Sequence, residues 1–554
     1  MNSRLVLLRL RRLAGEHKLF SWALAAGALL RLVTMLGYPG ALWFAGDSFV
    51  YVGAALRPDS TKIFGWTLSL PQPNLSKSTG YSFFLRLLLP FHSFTLVTAV
   101  QHLMGLAIAV LMYALLRRAR VAKTWAAIAT LPQLLDGYII EDEHLIMAET
   151  VFTFLLVIAL AMLLWRREPG SPPRVRWWVA VVAGLLTGAA AVVRTEGEVM
   201  LAVIPLYLLV SGWAWKTLRG WLVAIVFAIA SLVPVGGYMD WFHEQHGEYQ
   251  LTMSTGFYMW GRVSSFANCA VIKPTGQEAT VCPTQPIVDR DPPGNYVWHA
   301  PYVHQDLDSV GGPVSAKGNS LLTSFAIHAV EAQPLQYIKT VVKGVGLAFG
   351  FPRIAYPGSG TTYYYDFHLH YTGTNATTHQ PYSLLPPKTK SWIPPLTVPQ
   401  NSAYDDWLNY GHQAPGVVHK IFAAPIAIYQ RVVFTYGPLL AVIFLVGLGG
   451  VLSVTASGRR GRGLRSLASW PALRSLRLHW RPRGTSMLPW VTAVALLVAP
   501  VAVADFDYRY LIPVIPFAAL AAGLSFAARK TAPAPDSAPE GAPAIESTVP
   551  DQVA

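Results

Sequence analysis

Apolar runs of about 20 residues recur along the chain, the length an α-helix needs to cross about 30 Å of hydrocarbon. They fall at 19–36, 93–116, 124–140, 144–165, 177–193, 198–212, 220–238, 437–456, 488–504 and 511–527. The pattern predicts about ten membrane-spanning helices. The stretch 124–140 carries Pro132 and Asp136, which predicts irregular helix at its outer end. Between 239 and 436 the apolar runs give way to sequence rich in Tyr, Pro, Gly, Asn and His. That segment is long enough for a domain, and its composition predicts an irregular one. Within it, 323–349 has the spacing of one or two amphipathic helices lying near a bilayer surface.

Polar segments sort by charge. Basic residues gather at Arg4, Arg9, Arg11, Arg12 and Lys18, at Arg117, Arg118, Arg120 and Lys123, and at Arg166, Arg167, Arg174 and Arg176. Lys216 with Arg219, and the arginines between Arg459 and Arg483, complete the set. With ten spans these all lie on one side, which the positive-inside rule makes the cytoplasm. The net charge of +14 is explained without nucleic acid. Hydrophobic residues are 53% of the 554-residue chain and charged residues 13%, which excludes an ordinary soluble enzyme and a disordered protein. No signal-peptide cleavage motif follows the first apolar run.

The predicted organisation is a membrane module over 1–238 that includes the first outer loop, an extracytoplasmic domain over 239–436, a second membrane module over 437–529, and a disordered Pro/Ala/Ser-rich cytoplasmic tail over 530–554. Both termini are expected in the cytoplasm, in the bacterial inner (cytoplasmic) membrane. The two cysteines, Cys269 and Cys282, both fall in the outer segment, where an oxidising compartment permits a disulfide.

Charged residues inside or beside spans are costly and mark candidate chemistry. On the outer side they cluster in the first loop, where Asp47 is followed one helical turn later by Tyr51, and where Lys77 precedes Gly80-Tyr81. Asp47 can be read as a helix N-cap or as a functional acid. The junction EDEHLIMAE supplies Glu141, Asp142, Glu143, His144 and Glu149. On a continuous helix Asp142 and Glu149, seven apart, face the same way. Glu149 is either a buried acid satisfied by neighbours or a functional carboxylate. Arg194, before Glu196 and Glu198, is either a phosphate ligand or an interface anchor. Arg509 offers a planar fork to phosphate, or pairs with Asp505 or Asp507. His368 and His370, with Asp366, have metal-like spacing, but a Tyr-rich solvated loop is the expectation there.

The order of these features resembles the GT-C glycosyltransferases: an early acid in the first outer loop, a Lys/Gly-Tyr segment, the EDEHLIMAE junction, an Arg after the fifth span, a large outer loop and a late DYRYLIP. It is similar in particular to their bacterial phospholipid-carrier-dependent branch, which includes aminoarabinose transferases, protein O-mannosyltransferases and actinobacterial arabinosyl- or mannosyltransferases. The resemblance implies a GT-C-like, all-α polytopic fold with a mixed, irregular extracytoplasmic domain. It implies inverting transfer of a hexose or pentose from a polyprenyl-phosphate donor to a glycan, lipid or protein acceptor on the outer face. The family's base maps onto Asp47, and its acid near the fourth span onto Glu149, with Glu143 a further candidate. Donor phosphate would be held by Lys77, Arg194 or Arg509. Tyr51, Tyr81, His144 and Asp142 are the expected substrate-binding side chains. Asp47 is followed by Ser48 rather than Glu, and Glu141-Asp142-Glu143 gives Glu-x-Glu rather than Asp-x-Glu. These departures disfavour a divalent cation and a protein acceptor, and no cofactor is expected. The main rival is a transporter or lipid flippase, for which the 239–436 segment has no evident use. A ligase- or polymerase-type membrane transferase is the second rival.

Overall fold

The structure is a computed structural model, and it describes residues 15–44, 47–63, 66–71, 73–165, 175–299, 307, 311–354, 356–357, 364–370, 372–374, 381–383, 403–412, 416–452 and 484–527. The N-terminal arginines, the basic loop 459–483 and the tail lie outside these residues.

The fold is α-helical. Its described strands are two short antiparallel pairs, Pro58–Ile63 with Trp66–Pro71 and Thr372–Thr374 with Pro381–Ser383. Among the described residues five helices are long and apolar enough to cross a membrane: Lys18–Gly37, Phe94–Arg118, Leu218–His246, Thr485–Val503 and Tyr508–Ser525. Lys420–Val432 and Gly437–Leu452, bent by 59° at their junction, form a sixth if taken as one span. Glu149–Leu164 and Trp177–Val193 are apolar but shorter. The stretch 124–140 breaks into Lys123–Ile128, Leu131–Leu135 and Gly137–Asp142. Asp136 produces the last break: its carboxylate caps the final helix, accepting from Tyr138 N, and also accepts from Thr435 N at 2.6 Å.

The exposed faces of the long helices are greasy. Leu29, Leu103, Ile229 and Leu445 are all more than half exposed, which suits a lipid solvent and not water. The chain is therefore a multi-pass membrane protein. Close packing is built from small residues. Trp177–Val193 runs against Leu218–His246, and a Cβ on Gly184 or Gly188 would strike the backbone at Phe227 or Ser231.

A second core forms in the segment expected to be extracytoplasmic. Thr255–Ser264 packs on Ala316–Ala332 through Phe257, Trp260, Leu322 and Phe325, and Cys269 and Cys282 are disulfide-bonded beside it. The 323–349 stretch resolves into the end of that helix and Pro334–Leu347, which exposes Leu335, Ile338 and Val342 along one side.

One strand-like contact fixes the first loop. Leu42 N donates to His144 O at 2.9 Å, Ile146 N donates to Leu42 O at 3.2 Å, and the Ser48 hydroxyl donates to Ile146 O at 3.0 Å. This stitch holds the segment carrying Asp47 against the turn that leads into Glu149.

Candidate functional site

A cavity of about 300 Å³ opens where the ends of several helices meet. It is walled by Asp47 and Tyr51, by Ser76–Ser78, by the turn 193–199, by Thr252, Ser254, Thr255 and Tyr258, and by the junction 499–510. Each wall has a local cause. Asp47 immediately precedes the helix Ser48–Leu56 yet makes no side-chain cap bond, so the N-cap alternative does not describe it. Lys77 sits in a turn wound around Asn74, whose side-chain oxygen accepts from Ser76 N at 2.8 Å and Lys77 N at 3.3 Å. Arg194 ends the helix Trp177–Val193 in extended backbone. Arg509 lies in the short turn Tyr508–Tyr510, which Asp507 caps by accepting from Arg509 N at 3.1 Å.

These residues, from 30 to 462 positions apart, meet through charge. Asp47 Oδ2 accepts from Arg509 Nη1 at 2.6 Å, and Asp47 Oδ1 lies 3.2 Å from Lys77 Nζ. Arg509 also reaches Asp507 at 3.4 Å, not Asp505. Asp505 instead pairs with Arg262 at 3.4 Å and accepts from Tyr356 OH at 2.7 Å, tying the last inter-span turn to the second core. Across the cavity Arg194 forms ion pairs with Glu149 and, at 2.7 Å, with Glu196.

Burial alone would raise the Asp47 carboxyl, but the adjacent Lys77 and Arg509 charges outweigh it and hold the group below the usual carboxylate range. Burial would lower the Lys77 ammonium, and Asp47 reverses that and raises it. Glu196 is likewise raised by burial but brought down further by Arg194. Burial raises the Tyr51 phenol, which stays protonated and can donate. Tyr258 sits beneath the Lys77 ammonium, 5.5 Å from ring centroid to nitrogen.

Of the expected site residues, Asp47, Tyr51, Lys77, Arg194 and Arg509 line the cavity, and Glu149 is fully buried against Arg194. Asp142 is buried and accepts from the Thr150 hydroxyl at 3.2 Å; burial, then the nearby Glu149 charge, pushes its carboxyl well up. The two acids do not share a continuous helix. Gly137–Asp142 ends before the 143–148 turn and Glu149 starts the next helix, so the fold brings them together where helical spacing does not.

Glu143, His144 and Tyr81 are not among the side chains that line this cavity. Glu143 turns into the bundle, where both carboxylate oxygens accept from Arg31 at 2.7 Å and one lies 2.9 Å from His102 Nδ1. His144 lies between His102, at 3.0 Å, and the Tyr38 carbonyl, at 2.8 Å. The Tyr81 hydroxyl donates to Gln101 Oε1 at 2.6 Å, inside the protein. All three are packed as internal structure.

Thr252, Ser254, Thr255 and Tyr258 were not among the expected residues. They reach the cavity because Met253 N donates to Leu75 O at 2.7 Å and the Ser254 hydroxyl to Ser76 O at 2.8 Å. Hydroxyls in an irregular loop carry no motif; the composition of the 239–436 segment was the one signal. Among the described residues no group of three or more His, Cys, Asp or Glu side chains is placed to hold a metal ion.

No family model matches the sequence, and no curated protein matches it significantly. Among solved structures, it is similar to the archaeal oligosaccharyltransferase AglB from Archaeoglobus fulgidus in complex with an inhibitory peptide and a dolichol-phosphate, at 13% identity and a TM-score of 0.37, over 91% of this chain and 50% of that one. It is also similar to an Archaeoglobus fulgidus oligosaccharyltransferase tethered with an acceptor peptide, at 12% identity and a TM-score of 0.36, over 91% and 49%. A third likeness is to ArnT from Cupriavidus metallidurans bound to undecaprenyl phosphate, at 12% identity and a TM-score of 0.28, over 91% and 77%. The chain spans about half the length of the archaeal chains it matches.

Proposed function

We propose that this chain is an integral-membrane glycosyltransferase that moves a sugar from a polyprenyl-phosphate donor to an acceptor hydroxyl, with inversion, on the outer face of the cytoplasmic membrane. One observation carries this reading. An acid and three cations, Asp47 with Lys77, Arg194 and Arg509, come from four separate stretches to one cavity. Transfer needs that combination. The acceptor O–H adds to the anomeric carbon while the bond from that carbon to the phosphate oxygen breaks, and the electron pair leaves with the phosphate. Asp47 takes the hydroxyl proton as general base. Lys77 and Arg509, with Arg194 across the cavity, meet the charge growing on the leaving oxygen. Glu149 holds Arg194 in place. Protonated Tyr51 and the hydroxyls of Thr252, Ser254 and Thr255 suit a polyhydroxylated ring.

Helix direction supports the sidedness. Arg176 precedes the helix Trp177–Val193, whose other end, Val193, lines the cavity, and Lys18, Arg117 and Arg118 likewise sit at one end of their helices, which supports an outward-facing site. A transporter is less well supported, because the charges that line the cavity sit at the ends of helices, while the Arg31–Glu143 pair inside the bundle is closed on itself.

The test is a panel of polyprenyl-phosphate sugars incubated with purified full-length protein, with release of free lipid phosphate as the readout. At least one donor is expected to turn over, and Asp47→Ala to slow it by about 10²- to 10⁴-fold. No turnover on any donor and acceptor pair, or full activity in Asp47→Ala, would count against the reading.

A further inference from the structure

The groups proposed to bind donor phosphate are already engaged. Arg509 and Lys77 each hold one oxygen of Asp47, at 2.6 and 3.2 Å, and Arg509 reaches Asp507 as well. Asp47, Lys77 and Arg509 line the cavity, and Asp507 beside Arg509 makes the group of four side chains neutral. An arriving phosphate cannot take the full attraction of either cation without weakening its hold on Asp47.

We infer that the phosphate of the lipid donor and the Asp47 carboxylate compete for Lys77 and Arg509, so that donor binding itself frees the base. The inference deepens the transferase reading and rests on it. Three observations support it. The Asp47 side chain is about 10% exposed, so water does little to replace a cation drawn away. Burial works against its charged form, so each loosened cation leaves a stronger base. Asp507 is anchored on its other side by Tyr365 OH, which donates to it at 3.0 Å, so Arg509 can turn from Asp47 without losing its own footing.

Before the donor arrives, Asp47 is a poor proton acceptor, and no acceptor hydroxyl is activated at an empty site. With phosphate bound, the cations move their charge to it and Asp47 becomes basic beside the anomeric carbon. After transfer the released lipid phosphate is a monoester with a charge near −1.5 to −2, against one negative charge on the diester donor. It holds the cations harder still, while Asp47, now carrying the acceptor proton, no longer competes. The device therefore favours donor first and makes product release a slow step.

The competition is tested by binding alone, with undecaprenyl phosphate as the probe and full-length protein in nanodiscs. Asp47→Asn is expected to bind the probe roughly tenfold tighter than the natural chain, the size of one charge-assisted hydrogen bond no longer contested. Asp507→Asn, whose amide oxygen can still cap the turn, is expected to bind tighter by a smaller factor. Undecaprenol, the same tail without phosphate, should bind all three alike. Unchanged or weaker phosphate binding in Asp47→Asn, with the natural chain still binding, would overturn the inference and leave the transferase reading standing. So would a matching gain for undecaprenol. Should Asp47→Asn fail to fold, Asp47→Ser takes its place on the same terms. If undecaprenyl phosphate binds neither the natural chain nor the variants, the transferase reading falls and the inference with it.

Discussion

At the scale of single residues, what separates Asp47 from Glu143 is the company each keeps. Both are acids next to apolar sequence, and both are buried. Asp47 is held by cations that line a cavity, where a ligand can replace it. Glu143 is locked to Arg31, which is 2% exposed and also donates to the carbonyls of Gly27 and Leu134. Removing one partner of such a pair leaves an uncompensated buried charge. Glu143→Ala is therefore expected to cost about 3 kcal/mol and to lower the melting midpoint in detergent sharply. The folded fraction should keep its turnover number. A loss of turnover per folded molecule, with the midpoint unchanged, would return Glu143 to the chemistry.

At the scale of elements, the cavity is made by helix ends, so it depends on how closely those ends approach. Gly80 opens the helix Gly80–Leu88 directly against the last residues of Trp177–Val193, and a Cβ there would drive into the backbone of Val192 and Val193. The turn with Lys77 lies just before this contact, and Arg194 just after the other helix. Thr79 N donates to Tyr238 OH at 3.1 Å, which ties the same turn to Leu218–His246. Gly80→Ala is expected to lower both stability and donor affinity, because backbone cannot yield as a flexible side chain does. Gly236→Ala, on the helix Leu218–His246 with open space at its Cβ, is the matched control and should change neither. Equal losses in the two variants would remove the argument from close approach.

At the scale of the whole molecule, the proposal divides the protein between two solvents and two sides. Val288 is 89% exposed in the segment expected outside, and Arg118 ends a long span at the opposite end. Both natural cysteines are disulfide-bonded, so single cysteines introduced at these positions can be labelled selectively. Val288→Cys is expected to react with a membrane-impermeant maleimide on intact cells, and Arg118→Cys only after the membrane is opened. The reverse pattern would put the cavity in the cytoplasm and end the outer-face reading.

The sequence by itself determined the solvent and the element type. Runs of about 20 apolar residues leave a backbone no option in lipid but helix, and that constraint is local. It also singled out Asp47, Lys77, Arg194 and Arg509, because a charge placed beside a span is conspicuous wherever it points. Tertiary structure decided which charges share a cavity. The identical chemistry of Glu143 and Glu149 carries no hint that one meets Arg31 and the other Arg194; that depends on how helices distant in sequence are rotated against one another. It decided as well that Asp47 is a partner of Arg509 and not a helix cap, and that an unremarkable stretch of hydroxyls from Thr252 to Tyr258 completes the wall. Hydrophobicity is a property of each residue along the chain, whereas an ion pair exists only between two residues, and folding alone sets the distance between them.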